Sequence, residues 1–147
     1  MIRPARPDEL ELIRTIVHDA YIGYVDRIGG RPGPMESDYA ALLAKGAIYV
    51  IDGTPPPGLI VLSDGPDHLL VENVAVAPEA QGHGHGGTLL RVAETEARRR
   101  GFAELRLYTH ELMTENLSLY GYVGYEEIGR RPEQGFSRVY LSKRIGD

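Results

Sequence analysis

The stretch Leu69-Leu70-Val71-Glu72-Asn73-Val74-Ala75-Val76-Ala77-Pro78-Glu79-Ala80-Gln81-Gly82-His83-Gly84-His85-Gly86-Gly87-Thr88-Leu89-Leu90 decides the fold, because its character changes twice. Leu69–Val76 is rich in β-branched and aliphatic residues and reads as a strand, which Pro78 stops. Gln81–Gly87 carries four glycines, which let the backbone bend sharply and approach a ligand without Cβ obstruction. Residues 87–100 then read as a helix with Leu89, Leu90, Ala93 and Ala97 on one face. Glu94/Arg98 and Glu96/Arg100 form i,i+4 pairs along it, and Gly101 suits the position after its end. Strand, glycine turn and helix in that order leave unpaired N–H groups at the helix start, which attract an anion such as a pyrophosphate. A plain flexible turn is the alternative reading.

Upstream, residues 8–24 read as an amphipathic helix. Asp8 and Glu11 form a capping box, and Leu10, Ile13, Val17, Ala20 and Tyr24 recur at helical spacing. The Gly29–Pro34 stretch breaks that pattern, and Glu36–Lys45 offers a shorter helix ended by Gly46. Ala47–Ile51 and Leu59–Leu62 read as strands joined by a loop with three consecutive prolines. Downstream come a strand at Leu105–Thr109, a short helix at Thr114–Tyr122, and two strands near Tyr125–Gly129 and Ser137–Ser142. No repeat or linker divides residues 1–147, so one domain is expected.

Composition narrows the function classes. Apolar residues make up 42% and charged residues 25%, as in ordinary globular proteins. A net charge of −5 disfavours non-specific nucleic-acid binding, and nothing approaches the ~20 apolar residues of a membrane span. The N-terminus lacks a secretory pattern and the chain has no cysteine, which together favour a cytoplasmic protein. The Arg98-Arg99-Arg100 cluster falls where a helix should end and reads as compensation of the helix dipole.

Two families fit the glycine turn. Gly82, Gly84 and Gly87 satisfy the dinucleotide pattern G-x-G-x-x-G, but only 60 residues follow Gly87, too few for the further parallel units such a fold needs. Gln81, Gly84 and Gly86 satisfy Q-x-x-G-x-G, which resembles the acetyl-CoA motif of the GNAT superfamily. The run Val71–Pro78 resembles that family's fourth strand. Asn116 to Tyr125 resembles its C-terminal N-x-x-x-Y-x-x-x-G-[FY] block, with Asn116 and Tyr120 on one helix face. The resemblance covers about residues 68–143. One departure is His85, where the family usually has a small aliphatic residue.

The resemblance implies an α/β (α+β) fold: a mixed, mostly antiparallel sheet of six to seven strands, splayed at its centre and flanked by about four helices. It also implies acetyl-CoA as co-substrate. Main-chain groups of Val74 and Val76 would bond the pantetheine. The turn Gln81, Gly82, His83, Gly84, His85, Gly86, Gly87 and Thr88 would hold the pyrophosphate, and Asn116 the pantetheine arm. Tyr120 would protonate the departing thiolate. A phenol with pKa ~10 does keep its proton at neutral pH, although a core aromatic is the other reading of Tyr120.

The expected reaction is N-acetylation of a primary amine by direct attack in a ternary complex. An alkylamine of pKa ~10.4 is neutral in only about one molecule in two thousand at pH 7, a deficit of ~4.6 kcal/mol, so a base would help. Strand alternation puts Glu72 on the face of Val74 and Val76 and makes it the first candidate, ahead of His110 and Glu111; a salt-bridged surface glutamate is the alternative. Tyr21, Tyr24, Tyr108 and His110 are candidate acceptor-pocket residues. No segment stands apart as a recognition domain, which favours a small-molecule amine; no nucleic-acid or membrane partner is expected, and the C-terminal strands leave an edge on which a homodimer can pair. His83, His85 and His110 lack a carboxylate at recognisable spacing, so no metal is expected. A non-catalytic GNAT-like module that binds acyl-CoA for regulation is the competing reading.

Overall fold

Seven strands form one sheet in the computed structural model, which describes residues 1–133 and 135–145, the side chains of Glu133 and Phe136 excepted. The elements in chain order are β1 (Ile2–Pro4), α1 (Leu10–Tyr21), α2 (Val25–Ile28), α3 (Tyr39–Ala44), β2 (Ile48–Ile51), β3 (Gly58–Asp64) and β4 (Leu69–Val76). There follow α4 (His85–Arg99), β5 (Glu104–His110), α5 (Thr114–Tyr122), β6 (Glu126–Glu133) and β7 (Phe136–Arg144). The strand order is β1-β2-β3-β4-β5-β7-β6. Every neighbouring pair is antiparallel except β4 and β5, so the sheet is mixed as expected.

The sheet forks at that parallel pair. β4 meets β5 only where Leu69 faces Leu105 and Leu70 faces Arg106. Beyond this, β4 stays with β3 as far as Val76, whereas β5 stays with β7 as far as His110. Each arm thus has its own antiparallel partner, and the backbone groups of β4 and β5 that face the gap are not paired with each other.

The β3–β4 ladder carries a one-residue irregularity. Leu62 faces Val71 and Val61 faces Asn73, so Glu72 has no partner on β3. Such a bulge shifts the two-residue alternation of side chains. Leu69 and Val71 belong to the core under α4, and so does Val74, three residues on. Asn73 and Ala75 instead face α1 and α3. The expectation that Glu72 shares a face with Val74 and Val76 is therefore corrected: Glu72 lies on the opposite face, beside Asn73.

Two apolar layers sandwich the sheet. In one, Leu89, Leu90, Ala93 and Ala97 of α4 pack on Ile60, Leu62, Leu69, Leu105 and Val139. In the other, Ile13, Ile16, Val17 and Tyr21 of α1 pack on Ile48, Val50, Leu59 and Val61. Burying each large aliphatic side chain contributes about 1.5–3 kcal/mol. The triple-arginine cluster serves the end of α4: Arg99 pairs with Glu96, and Arg100 reaches Asp64 at 2.7 Å and the Tyr49 hydroxyl at 3.1 Å.

Several boundaries moved. The single helix expected over 8–24 is α1 flanked by two 3-10 turns, with α2 ended by Gly29 in the left-handed region. The start uses Glu9 rather than an Asp8/Glu11 box. Glu9 accepts the Arg6 N–H at 2.7 Å and two Arg3 bonds at 2.9 Å. The Arg3 guanidinium holds the Glu9 carboxyl down to about 2. Helix α4 begins at His85, two residues earlier than expected, and β1 had not been anticipated. Among the described residues, no helix is long and apolar enough to cross a membrane.

Candidate active site at the fork of the sheet

Two cavities open at the fork. The first, about 320 Å³, lies between the free edge of β4, the glycine turn and α5. Ala77 N–H donates to Pro57 O at 2.9 Å, next to the Gly58/Val76 pair. Antiparallel alternation then points the main-chain groups of Val74 and Val76 away from β3 and into the gap. Two carbonyls there already accept bonds: Val76 O from Gln81 Nε2 at 3.1 Å, and Val74 O from the Tyr21 hydroxyl at 2.9 Å. The Gln81 side chain thus ties the start of the turn to the end of β4.

Gly84 caps α4 with φ of 80°, a conformation that side-chain-bearing residues rarely adopt. Thr88 N–H and its hydroxyl both donate to Gly84 O at 3.1 Å and close the first turn. This leaves the amides of His85, Gly86 and Gly87 directed outward at the positive end of the helix. Gly86 is also where α4 and α5 approach, because a Cβ there would stand 3.0 Å from a Leu119 methyl. Gln81, Gly82, Gly84, His85, Gly86 and Gly87 line the cavity. Thr88 lies behind them, and His83 is exposed with its ring 6.3 Å from that of His85.

The second cavity, about 470 Å³, lies on the other side of the fork under the Gly29–Pro34 loop. Glu72, Asn73, Tyr108 and His110 line it. Three residues line both cavities: Tyr21, Asn116 and Tyr120. Tyr120 is only 6% exposed, and its burial raises the phenol above its ordinary pKa. Its ring lies 6.0 Å from that of Tyr125.

The titratable groups of the second cavity differ in readiness. Glu72 is half-buried and makes no hydrogen bond or ion pair among the described residues. His110 accepts the Leu112 N–H at Nδ1, 3.0 Å away, which places the proton of the neutral ring on Nε2. Burial lowers its pKa, against a smaller opposing effect of Glu111, so the ring is neutral at pH 7 and its one N–H is at Nε2. Glu111 itself accepts the Ser137 N–H.

Sequence reading missed Asn73. The Tyr21 hydroxyl stands 2.5 Å from Asn73 Oδ1, Asn73 Nδ2 donates to the Tyr39 hydroxyl at 3.0 Å, and Tyr39 donates to Pro34 O at 2.5 Å. This buried chain ties the loop over the second cavity to the strand along the first. An amide inside an otherwise apolar strand was the available signal, since a buried polar group needs partners. Tyr24, expected in the acceptor wall, lines the first cavity instead. The 3-10 turn after α1 carries it toward α5, where Arg27 covers its ring at 4.9 Å and pairs with Glu115 at 2.6 Å. Among the described residues no group of three or more His, Cys, Asp or Glu is placed to hold a metal ion.

A profile described as the Acetyltransferase (GNAT) family matches residues 7–125. The mouse (Mus musculus) protein named N-alpha-acetyltransferase 80 is 42% identical over 82 residues, which are 56% of this chain and 24% of that protein; the chain spans about a quarter of that relative. Among solved structures, a GNAT-family protein from Desulfovibrio desulfuricans superposes with a TM-score of 0.82 at 19% identity, covering 99% of each chain. The PaiA N-acetyltransferase of Thermoplasma acidophilum, solved in complex with coenzyme A, gives 0.81 at 16% identity over 99% of this chain and 98% of its own. The forked sheet, the glycine turn capped by Gly84 and the match over residues 7–125 lead to one conclusion: this chain belongs to the GNAT acetyltransferase family.

Proposed function

We propose that the protein transfers the acetyl group of acetyl-CoA to a primary amine by direct attack within a ternary complex. The observation that carries this reading is the shared lining: Tyr21, Asn116 and Tyr120 stand between a cavity shaped for the cofactor and a second one open to an acceptor. A regulatory module that only bound acyl-CoA would have no use for the second cavity. The names of the mouse and Thermoplasma relatives support nitrogen as the accepting atom.

Acetyl-CoA supplies an activated acyl group on a thiol that leaves readily. The outward amides of His85, Gly86 and Gly87 hold its pyrophosphate, and Val74 and Val76 bond the pantetheine through main-chain groups, with Asn116 on the arm. A β4 N–H near Val76 stabilises the negative charge that develops on the carbonyl oxygen. Glu72 accepts a proton from the ammonium, directly or through one water, and offsets part of the ~4.6 kcal/mol deficit. As the N–C bond forms the nitrogen gives up its second proton to solvent, and as the C–S bond breaks Tyr120 gives its proton to sulfur and later regains one from solvent. Burial strengthens the phenol's hold on that proton. The same dry surroundings raise the basicity of the departing thiolate, which favours its protonation.

Titration calorimetry with acetyl-CoA, beside NADH as a control, tests the first half; thiol release against a panel of amines tests the second. Micromolar binding with amine-dependent release supports the reading. Binding without turnover on any amine favours the regulatory module, and absence of acetyl-CoA binding overturns both.

A further inference from the structure

A single file of hydrogen bonds crosses from the cofactor cavity to the roof of the acceptor cavity, and its polarity is set from the roof end. There the Pro34 carbonyl can only accept, so the Tyr39 hydroxyl donates to it, at 2.5 Å. Having given its one proton, Tyr39 accepts from Asn73 Nδ2 at 3.0 Å. This orients the Asn73 amide, whose Oδ1 faces Tyr21 as an acceptor. The Tyr21 hydroxyl stands 2.5 Å from Asn73 Oδ1 and 2.9 Å from Val74 O, one proton between two acceptors. Burial keeps both phenols protonated, with Tyr39 pushed up to about 12 and Tyr21 well above its ordinary value.

The two ends of the file belong to different cavities. Val74 lines the cofactor cavity and Pro34 the acceptor cavity, and none of Gly29–Pro34 lines the first. Tyr39 lines neither. Tyr21, Asn73 and Tyr39 are all buried, so each link is shielded from bulk water, where an unmade bond costs more than a made one contributes. The roof segment has three glycines, and its other ties are short-ranged: Gly29 and Gly30 donate to Val25 O, Met35 donates to Pro32 O, and Arg31 pairs with Glu36. Tyr39, through Asn73, is what ties it to the sheet.

The contested proton makes this file responsive. On the reading proposed above, Val74 O accepts a bond from the pantetheine arm. That carbonyl then has a donor of its own, and the Tyr21 proton can go wholly to Asn73 Oδ1. A fuller bond there makes Asn73 a better donor to Tyr39, and Tyr39 a better donor to Pro34, because linked hydrogen bonds polarise one another. Resting on that reading, we infer that Asn73 and Tyr39 are positioning residues: through Tyr21 they pass occupancy of the cofactor cavity at Val74 to the segment that roofs the acceptor cavity. By linkage the coupling runs both ways.

The test is amide hydrogen exchange, read by mass spectrometry over the peptide containing Gly29–Met35, with and without saturating coenzyme A. Wild-type protein should exchange there about three- to tenfold more slowly when coenzyme A is bound, the worth of one hydrogen bond. Tyr39→Phe removes one hydroxyl from a residue that lines neither cavity, and circular dichroism verifies its folding. In this variant the ratio between the two states should fall to within about 1.5-fold. A hydroxyl with a merely structural role would speed exchange in both states and leave the ratio unchanged. Tyr21→Phe, at the other end of the file, should abolish the ratio in the same way. Calorimetry on the same samples should show coenzyme A binding to Tyr39→Phe weakened by no more than the same three- to tenfold, roughly the coupling factor itself. Unaltered exchange in wild-type protein that binds coenzyme A, or a ratio that survives both substitutions, would overturn the coupling and leave the transfer reading standing. Failure of wild-type protein to bind coenzyme A would overturn the transfer reading, and the coupling with it.

Discussion

The two cavities that meet at Tyr120 are made of different material. The cofactor side is built from backbone: the free edge of β4, and a turn whose amides are aimed by Gly84 at φ of 80°. The acceptor side is built from side chains of separate segments, the Gly29–Pro34 loop, the bulge of β4, the end of β5 and the start of α5. A backbone site depends on few residue types, chiefly glycines at fixed spacing. A side-chain site can change its ligand by one substitution. On the reading proposed above, the fold would keep one substrate constant while leaving the other free to vary.

That contrast makes predictions that differ by side. Tyr120→Phe, at the boundary, should lower kcat by about 10²–10³-fold while acetyl-CoA affinity stays within about threefold. A matching loss of affinity in calorimetry would place the residue on the cofactor side only. Gly84→Val should weaken acetyl-CoA binding by about a hundredfold, because a β-branched residue at positive φ misdirects the turn; an unchanged affinity would remove the backbone account. Glu72→Gln should cost about thirtyfold in kcat/KM for the amine and leave cofactor binding intact. A kcat/KM within about threefold of wild type would exclude Glu72 as base.

The smallest effect on either cavity should come from Glu9, which touches neither. Its carboxyl is held near 2 against an ordinary 4.5, so its contribution is fully present above about pH 4.5 and is lost as pH falls through 2. Glu9→Gln should cost on the order of 2 kcal/mol in urea unfolding at pH 7, much less at pH 2, with acetyl-CoA affinity unaltered at pH 7.

The cofactor side was largely legible in the sequence because its signals are local. Strand, glycine turn, helix and the Asn116/Tyr120 spacing all sit within short windows, and the structure brings most of those residues to one cavity. The acceptor side was less legible. A bulge has no residue signature, so alternation assigned Glu72 to the wrong face. Tyr24 was misplaced because a 3-10 turn and an α-helix share the same periodic pattern over three residues. β1 is three residues long and contains Pro4, and only its pairing with Ile51, Val50 and Tyr49 makes it a strand.

The bulge at Glu72 acts as a change of phase. Upstream of it the odd-numbered residues of β4 fill the core under α4, and downstream the even-numbered ones do. Two adjacent residues therefore look the same way, and their tasks can be divided: Asn73 is bound into the scaffold, while Glu72 is left with no structural duty. Removing one residue there would restore strict alternation. The strand would survive, but chemistry and scaffold would then compete for a single position.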